Sequence, residues 1–593
     1  MPETILSPGV VAIENDQSLI PQGPIVADAA IIGPTVRGPV NIPTIVTSYD
    51  QYKEIFGESF KSGSTFYSYF TSIAAYHQLT EGDGALLITR VVSGSPDTDW
   101  TPATSSFISA SSHSGGSPYN SSVFELETIS EGIIMNSTSS ESTINTLDSG
   151  SSDNFRWEIV SPNTSSGEFT LLIRQGNDSI NNKSILHTIG PVTLDPNSSN
   201  YIEKAIGNQV LTVIEETSTG EYYTQLTGSY PNKYNTIRVK TVNQKTPDYL
   251  DSNGIPKNEF TGSIPIASSG SFGDAKGTNI PGSEGKYYHD ITDTNIQGLH
   301  PHEYTESISL LANKDAYKYS LIVAPGLIAD KTSFPNSNTV VNQLINTVES
   351  REDCMAIIDL AKYGEDLNDV VSNANDKDTS YAASYWPWVQ TLDRYPNTLQ
   401  NVWVPSSTLA LGTYALNDSV GFPWLAPAGT TRGITNAVDA EKYLTQGVRD
   451  ILYTNRVNPI STINNSNGTS NFVLFGQKTL QKRNTSLTRV NVRRLLINLK
   501  NFISRTADNF VFEQNTPSTR ESILSIINPY LNLVQEEGGL TAFQVIMDET
   551  NNPPSVIDNN QLVGQIYIQP TRTAEFISLT FNILPTGATF PTT

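Results

Sequence analysis

Residues 64–92 read STFYSYFTSIAAYHQLTEGDGALLITRVV, and this stretch decides the fold class. In its first part Phe66, Phe70, Ile73 and Ala74 recur at helical spacing, which predicts a helix over 64–79. Gly82-Asp83-Gly84 then breaks the pattern. Residues 85–92, ALLITRVV, form an uninterrupted, β-branched run of the kind a strand buried on both faces requires. Helix followed by buried strand opens an α/β layer. Upstream, SPGV and IIGPTVRGPVNIP punctuate a compact segment with Pro and Gly.

The same texture returns after Glu303. SLIVAPGL (320–327), MAIIDLA (355–361) and VWVPSS (402–407) read as buried strands, with helices at 339–351 and 439–453 packed between them. A helix over 488–505 follows, then another opened by a capping box, Ser518-x-x-Glu521, closed by Gly538-Gly539 and interrupted by Pro529. Strands at 541–547, 564–570 and 575–584 finish the chain. From 93 to 300 the texture differs: short alternating runs such as VFELETI (123–129), FRWEIV (155–160), FTLLIRQ (169–175), QVLTVIEE (209–216), EYYTQL (221–226) and NTIRVKTV (235–242) sit between Gly/Ser-rich connectors. That is how a β-sandwich or barrel reads. The predicted fold class is therefore an α/β (α+β) core split by inserted β-rich domains.

Composition narrows the function. Among 593 residues, 36 are Lys or Arg and 59 are Asp or Glu, a formal charge of −23, which argues against a general nucleic-acid binder. Only 16% of residues are charged, against about 25% in ordinary soluble domains, so much of the surface is neutral and hydroxyl-rich. The single cysteine, Cys354, removes any disulfide framework or thiolate cluster, and reads as a buried inert thiol. The opening MPETILSPGVVAIENDQ has no basic and apolar signal regions, so the N-x-S/T triplets read as incidental. No run approaches the ~18 apolar residues of a membrane span.

Catalytic signatures are absent: no G-x-S-x-G, H-E-x-x-H, Walker loop or G-x-G-x-x-G occurs. His289, Asp290, Asp293, His300, His302 and Glu303 form one cluster, readable as a cation site or, more simply, as a polar loop returning from the insertion. Trp386 and Trp388 flank Pro387, with Trp403 and Trp424 beyond, a ligand platform or buried packing.

Two features stand out. Between Gly476 and Arg505 lie eight basic residues and no acid, in a strongly acidic chain. Arg489, Arg493 and Lys500 fall at helical spacing opposite Val492, Leu495, Leu496 and Ile503, either a solvated face or a contact with an acidic partner. At the chain ends, Val10, Val11, Ala12 and Ile13 form one short strand. Ile577, Leu579, Phe581 and Ile583 alternate with Ser578, Thr580 and Asn582 in another. Such strands pair inside their own domain or with a neighbour's exposed edge, and alternation leaves both open.

Several motifs in order carry a resemblance. Leu6-Ser7-Pro8-Gly9-Val10, Glu14, Gly33, Arg37-Gly38-Pro39, Pro43, Val46-Thr47-Ser48, Phe56-Gly57 and Arg90-Val91 open it. Val404-Pro405-Ser406-Ser407, Gly412-x-Tyr414-Ala415-x-Asn417-Asp418, Gly421 and Ala426-Pro427-Ala428 continue it. Leu474 to Leu480 (LFGQKTL), Val490 to Leu495 (VNVRRL) and Phe512-Glu513-x-Asn515 follow. Together they resemble the contractile tail sheath proteins of bacteriophages. Where many relatives read F-x-N-G-G, this chain has His77-Gln78-Leu79-Thr80-Glu81-Gly82-Asp83-Gly84, a departure in one loop.

The resemblance implies a structural subunit with no catalytic residues, cofactor or metal. It implies stacked hexameric rings of this chain around a tail tube protein, with baseplate and tail terminator proteins as further partners. Neither nucleic acid nor membrane insertion enters. The location implied is the virion tail, assembled in the host cytoplasm. It also implies arms at 1–22 and 575–593 that add strands to a neighbour's sheet, core parts at 23–92 and 301–475, a projecting β-rich region at 93–300 and a C-terminal α+β domain at 476–574. Lys478, Lys482, Arg483, Arg489, Arg493, Arg494 and Lys500 become a candidate contact to the tube or another subunit. Two other readings stay open: a β-rich virion surface or adhesin protein that binds a receptor, and a divergent hydrolase on the same core.

Overall fold

The computed structural model describes residues 25–62, 65–94, 100–111, 122–132, 154–178, 181–277, 290–395, 398–464 and 470–575. Both terminal strands expected from alternation, and His289, lie outside the described residues. What is described divides into two compact units with a boundary at 498/499, residues 424–426 belonging to the second.

The first unit is organised by an eight-stranded sheet. Its spatial order is Ser470–Leu474, Asn458–Asn464, Ala382–Trp386, Met355–Asp359, Leu321–Ile328, Ala29–Gly33, Leu86–Arg90, Thr44–Val46. The six inner strands run parallel and the two outer ones antiparallel. Parallel strands need cover on both faces, and side-chain alternation assigns it. Ala30, Ile32, Ile322, Ala356 and Ile358 enter one core with helices Tyr304–Leu311 and Pro335–Arg351. Ala29, Ile31, Val323, Met355 and Ile357 enter the other with helices Phe70–Glu81 and Ser406–Val420. Leu321–Ile328 is buried at every position, the outcome its unbroken apolar run predicts.

Three expected elements change. The helix begins at Phe70 instead of residue 64, because Thr65–Tyr67 pairs with Phe60–Ser62 as a hairpin. VWVPSS is not a strand of the main sheet. Thr398–Val404 pairs antiparallel with Val389–Tyr395, since Gln400 and Asn401 interrupt the apolar run a doubly covered strand needs. Residues 439–453 are not one helix: Asp439–Ala440 pairs with Val389 and Gln390, and the helix is Gln446–Thr454.

Between Arg90 and Pro301 the described strands form a seven-stranded antiparallel sheet, ordered Ile185–Thr193, Glu168–Gln175, Phe155–Asn163, Ser268–Gly273, Pro102–Ser105, Phe124–Glu131, Ile237–Val242. Phe124 stacks on Phe169 at 5.7 Å beside the fully buried Trp157. A separate two-stranded ribbon joins Val210–Glu216 to Glu221–Thr227.

In the second unit, helix Pro517–Glu536 buries Ile523, Ile527, Leu531 and Val534. Its cap is Thr516, whose hydroxyl accepts from the Thr519 amide at 3.2 Å, with Pro517 at the first turn; the Ser518 capping box does not form. Pro529 lies inside the helix without ending it. Leu540–Ile546 and Gln565–Pro570 form a two-stranded antiparallel sheet. Phe502 stacks on Tyr530 at 3.6 Å, and Trp424 Nε1 donates to the Glu537 carbonyl at 3.2 Å.

Candidate assembly site

The segment 478–505 is the feature that composition singled out, and the fold splits it. Arg494 is 3% exposed. Its Nη1 donates to Asp418 Oδ1 at 2.9 Å and its Nη2 to Asp418 Oδ2, and it lies 5.1 Å from the Tyr414 ring. Burial alone would lower its pKa, but the Asp418 carboxylate holds it above the usual guanidinium range. Arg493, 5% exposed, donates from Nη2 to Ser380 Oγ and stacks 3.9 Å over Tyr381. Desolvation lowers its pKa. Lys478 donates from Nζ to the Tyr453 carbonyl at 2.9 Å and sits 3.8 Å over that ring, which Arg489 approaches at 6.0 Å.

A solvated face and a partner contact alike require Arg489, Arg493 and Lys500 to be presented together, and the burial of Arg493 corrects this. Arg493 faces inward because Tyr381 and Ser380 supply an aromatic platform and an acceptor there. Arg494 likewise anchors the helix inside its own chain. Lys482, Arg483 and Lys500 are exposed, and Arg489 is half-buried. The Lys482 amide donates to Asp378 Oδ1 at 2.7 Å, which fixes the loop while leaving the side chain outward. Among the described residues neither Lys482 nor Arg483 forms an ion pair. Of the seven basic residues, these two and Lys500 are the ones presented to solvent.

A second candidate is the sheet of Leu540–Ile546 and Gln565–Pro570. Along Gln565–Pro570 exposed and half-buried residues alternate and none is buried, with Tyr567 55% exposed. Among the described residues the sheet has two strands, so each strand keeps one unpaired edge of N–H and C=O groups.

Other candidates resolve as packing. Trp386 and Trp388 are buried, and Trp388 Nε1 donates to the Ala361 carbonyl at 2.8 Å. His300 and His302 stack at 5.6 Å, Glu303 Oε2 accepts from the His300 amide at 2.8 Å, and no metal-holding cluster of His, Cys, Asp or Glu exists among the described residues. Burial pushes the Cys354 thiol up to about 12. The Ser407 hydroxyl donates to Asp359 Oδ2 at 2.6 Å, both buried. Among the described residues, no helix is long and apolar enough to cross a membrane.

Residues 482–584 match the family described as the phage tail sheath C-terminal domain. The chain is 33% identical over 307 residues to the tail sheath protein of Vibrio phage KVP40, a match covering 48% of this chain and 44% of the relative. It is 30% identical over 303 residues to the tail sheath protein of Enterobacteria phage T4, covering 48% and 45%. A sheath tail protein from Listeria innocua aligns with a TM-score of 0.49 at 9% identity, over 92% of this chain and 95% of that one. The chain thus spans less than half the length of the curated relatives it matches. Residues 482–584 resemble the phage tail sheath C-terminal domain, and about half of the chain is similar to phage tail sheath proteins.

Proposed function

We propose that this chain is the structural subunit of a contractile tail sheath, polymerising as stacked hexameric rings around a tail tube and contracting to drive that tube through a host envelope. The observation that supports this reading is the match of residues 482–584 to the phage tail sheath C-terminal family, together with the similarity to two tail sheath proteins. Baseplate and tail terminator proteins would meet the ends of such a polymer, and the virion tail is its place. No nucleotide or cofactor is required, because the free energy of contraction is a difference between two packings of the same subunits.

In this reading the segments 1–22 and 575–593 are arms, and Ile577, Leu579, Phe581 and Ile583 add a strand to a neighbour. The half-exposed sheet of the C-terminal unit supports the idea by offering unpaired edges. Main-chain hydrogen bonding needs little side-chain specificity, so one arm tolerates sliding elsewhere in the lattice. Heterologous contacts of this kind extend into a helix instead of closing. Within the first unit the basic contact narrows to the exposed Lys482 and Arg483. Electron microscopy of purified chain, intact and lacking 576–593, tests the reading. Tubes or rings are expected from the intact chain, and folded monomers without long tubes from the truncation. Isolated intact monomers under all conditions, or normal tubes from the truncation, would overturn the subunit and the arm respectively.

A further inference from the structure

The ribbon of Val210–Glu216 and Glu221–Thr227 carries charge of one sign only. Residues 205–232 contain Glu215, Glu216 and Glu221 and no lysine or arginine, while residues 476–507 contain eight basic residues and no acid. None of the three glutamates forms an ion pair among the described residues, and all three are exposed. Thus the chain presents an acid-only ribbon and an acid-free basic loop, each with unspent charge.

An isolated two-stranded ribbon is marginal in water, so this one has to be held. Its base is clamped by two asparagines. The Asn208 side-chain oxygen accepts from the Ser229 and Tyr230 amides at 2.9 and 2.8 Å, and Asn232 exchanges bonds with Gln209 at 3.1 and 2.7 Å. Gly207 and Gly228 have positive φ, and an added Cβ would fall 2.4 and 2.3 Å from backbone atoms of Asn232 and Asn208. Along the ribbon Val213 and Tyr222 pack onto the core, and the Thr224 hydroxyl lies 3.4 Å from that of Tyr317. The outer part is left over: Leu211 and its cross-strand partner Leu226 are each 43% exposed, and Tyr223 is 40% exposed. The ribbon is aimed, apolar-edged and acidic.

Copies of a chain carrying −23 repel one another unless local surfaces are complementary. We propose that the acidic ribbon of one copy, through Glu215, Glu216 and Glu221, docks on the basic loop at Lys482 and Arg483 of a second copy. The inference rests on the sheath reading, since a lattice of copies is what sets two different surfaces of one chain opposite each other. The contact is heterologous, ribbon to loop, and so propagates in the way an open polymer requires. Exposed pairs are individually weak and screened by salt, so the contact both steers assembly and releases cheaply when subunits repack.

The test is a charge swap in the full chain. One variant carries Glu215→Lys, Glu216→Lys and Glu221→Lys, a second carries Lys482→Glu and Arg483→Glu, and a third carries all five. Assembly is read by sedimentation and electron microscopy at low and high salt, beside thermal melts of the monomers. Either reversal should lower the assembled fraction about tenfold at low salt, less at high salt, and the five-fold variant should recover most of it. Should a triple reversal lower the melting temperature, Glu215→Gln, Glu216→Gln and Glu221→Gln replace it, with a smaller loss expected in the same direction. Loss without recovery in the combined variant, or no loss at all, would overturn the docking while wild-type polymers stand. Loss of tube binding with intact self-assembly would overturn it too, giving the loop to the tube. A wild-type chain that never assembles would overturn both this contact and the sheath reading.

Discussion

The eight-stranded sheet and the two-stranded sheet of the C-terminal unit use strands of comparable length, yet bury them very differently. Met355–Asp359 is buried at all five positions and Leu321–Ile328 at all eight, whereas Gln565–Pro570 has no buried residue. The larger sheet has helices on both faces and antiparallel strands closing both sides. Among the described residues the smaller has one partner strand per strand and a largely wet surface along Gln565–Pro570, which is marginal for a two-stranded sheet. The first is complete within one chain. The second has the properties of a template, and its stability is expected to depend on company.

The largest effect should come from breaking the ion pair between Arg494 and Asp418 inside the first unit. Asp418→Ala leaves the Arg494 guanidinium, 3% exposed, without its carboxylate partner. Stranding a buried charge costs about 3–5 kcal/mol, read as a lowered melting temperature and early loss of protection in residues 406–420. A loss under about 1 kcal/mol would mean that water reaches Arg494 and that the anchor is weak.

Next comes a matched pair of truncations. Ile357→Ala, at 1% exposure in the complete sheet, should cost about 3 kcal/mol. Ile568→Ala, half-buried in the small sheet, should cost about 1 kcal/mol in the monomer and more in assembled particles. Equal costs in the monomer would erase the distinction between the two sheets.

How much of this was readable follows the same division. Continuous apolar runs announced three of the six parallel strands, Leu86–Arg90, Leu321–Ile328 and Met355–Asp359, and the alternating runs between 123 and 242 all became strands, because local pattern is what two-sided or one-sided burial demands. Elements decided by the strand they pair with depart from their own local pattern. Thr65–Tyr67 joined a hairpin, and Asp439–Ala440 bridged to Val389 and Gln390. The basic count was visible, but its fate was not. Arg494 meets Asp418 across 76 positions and Arg493 meets Ser380 across 113, so spacing on their own helix could not reveal that both turn inward. Asp418 stood in a recognised motif, yet only its contact identifies it as a partner.

A smaller effect separates the sheets by pH. Asp359 ends a strand of the complete sheet and is buried, which pushes its carboxyl up to about 6 despite hydrogen bonds from Ser407, Gly326 and Ser406. In the unfolded chain the same group ionises at about 3.9. The folded protein therefore holds more protons between those values, and the stability this carboxyl contributes is present below about pH 4 and lost as pH rises through about 6. Between pH 5 and 7 the loss should be about 1 kcal/mol. Glu131, raised by burial to about 7, acts in the same direction. Melting curves across that range should flatten in Asp359→Asn, and an unchanged slope would remove Asp359 from the account.

The smallest effect on the monomer should be the most informative about assembly. Tyr567 is 55% exposed on the strand Gln565–Pro570, and its hydroxyl bonds only Gln565 Oε1, at 3.2 Å, among the described residues. Tyr567→Ser removes an exposed ring whose monomer contribution is within about 0.5 kcal/mol. If a neighbour's strand covers this sheet, the ring becomes a buried aromatic in the polymer, worth about 0.5–1.5 kcal/mol beyond its area. The expected result is an unchanged monomer melt with a several-fold higher critical concentration for tubes. A variant that melts lower and assembles normally would instead make Tyr567 part of the unit's own packing, and the small sheet would then be as self-sufficient as the large one.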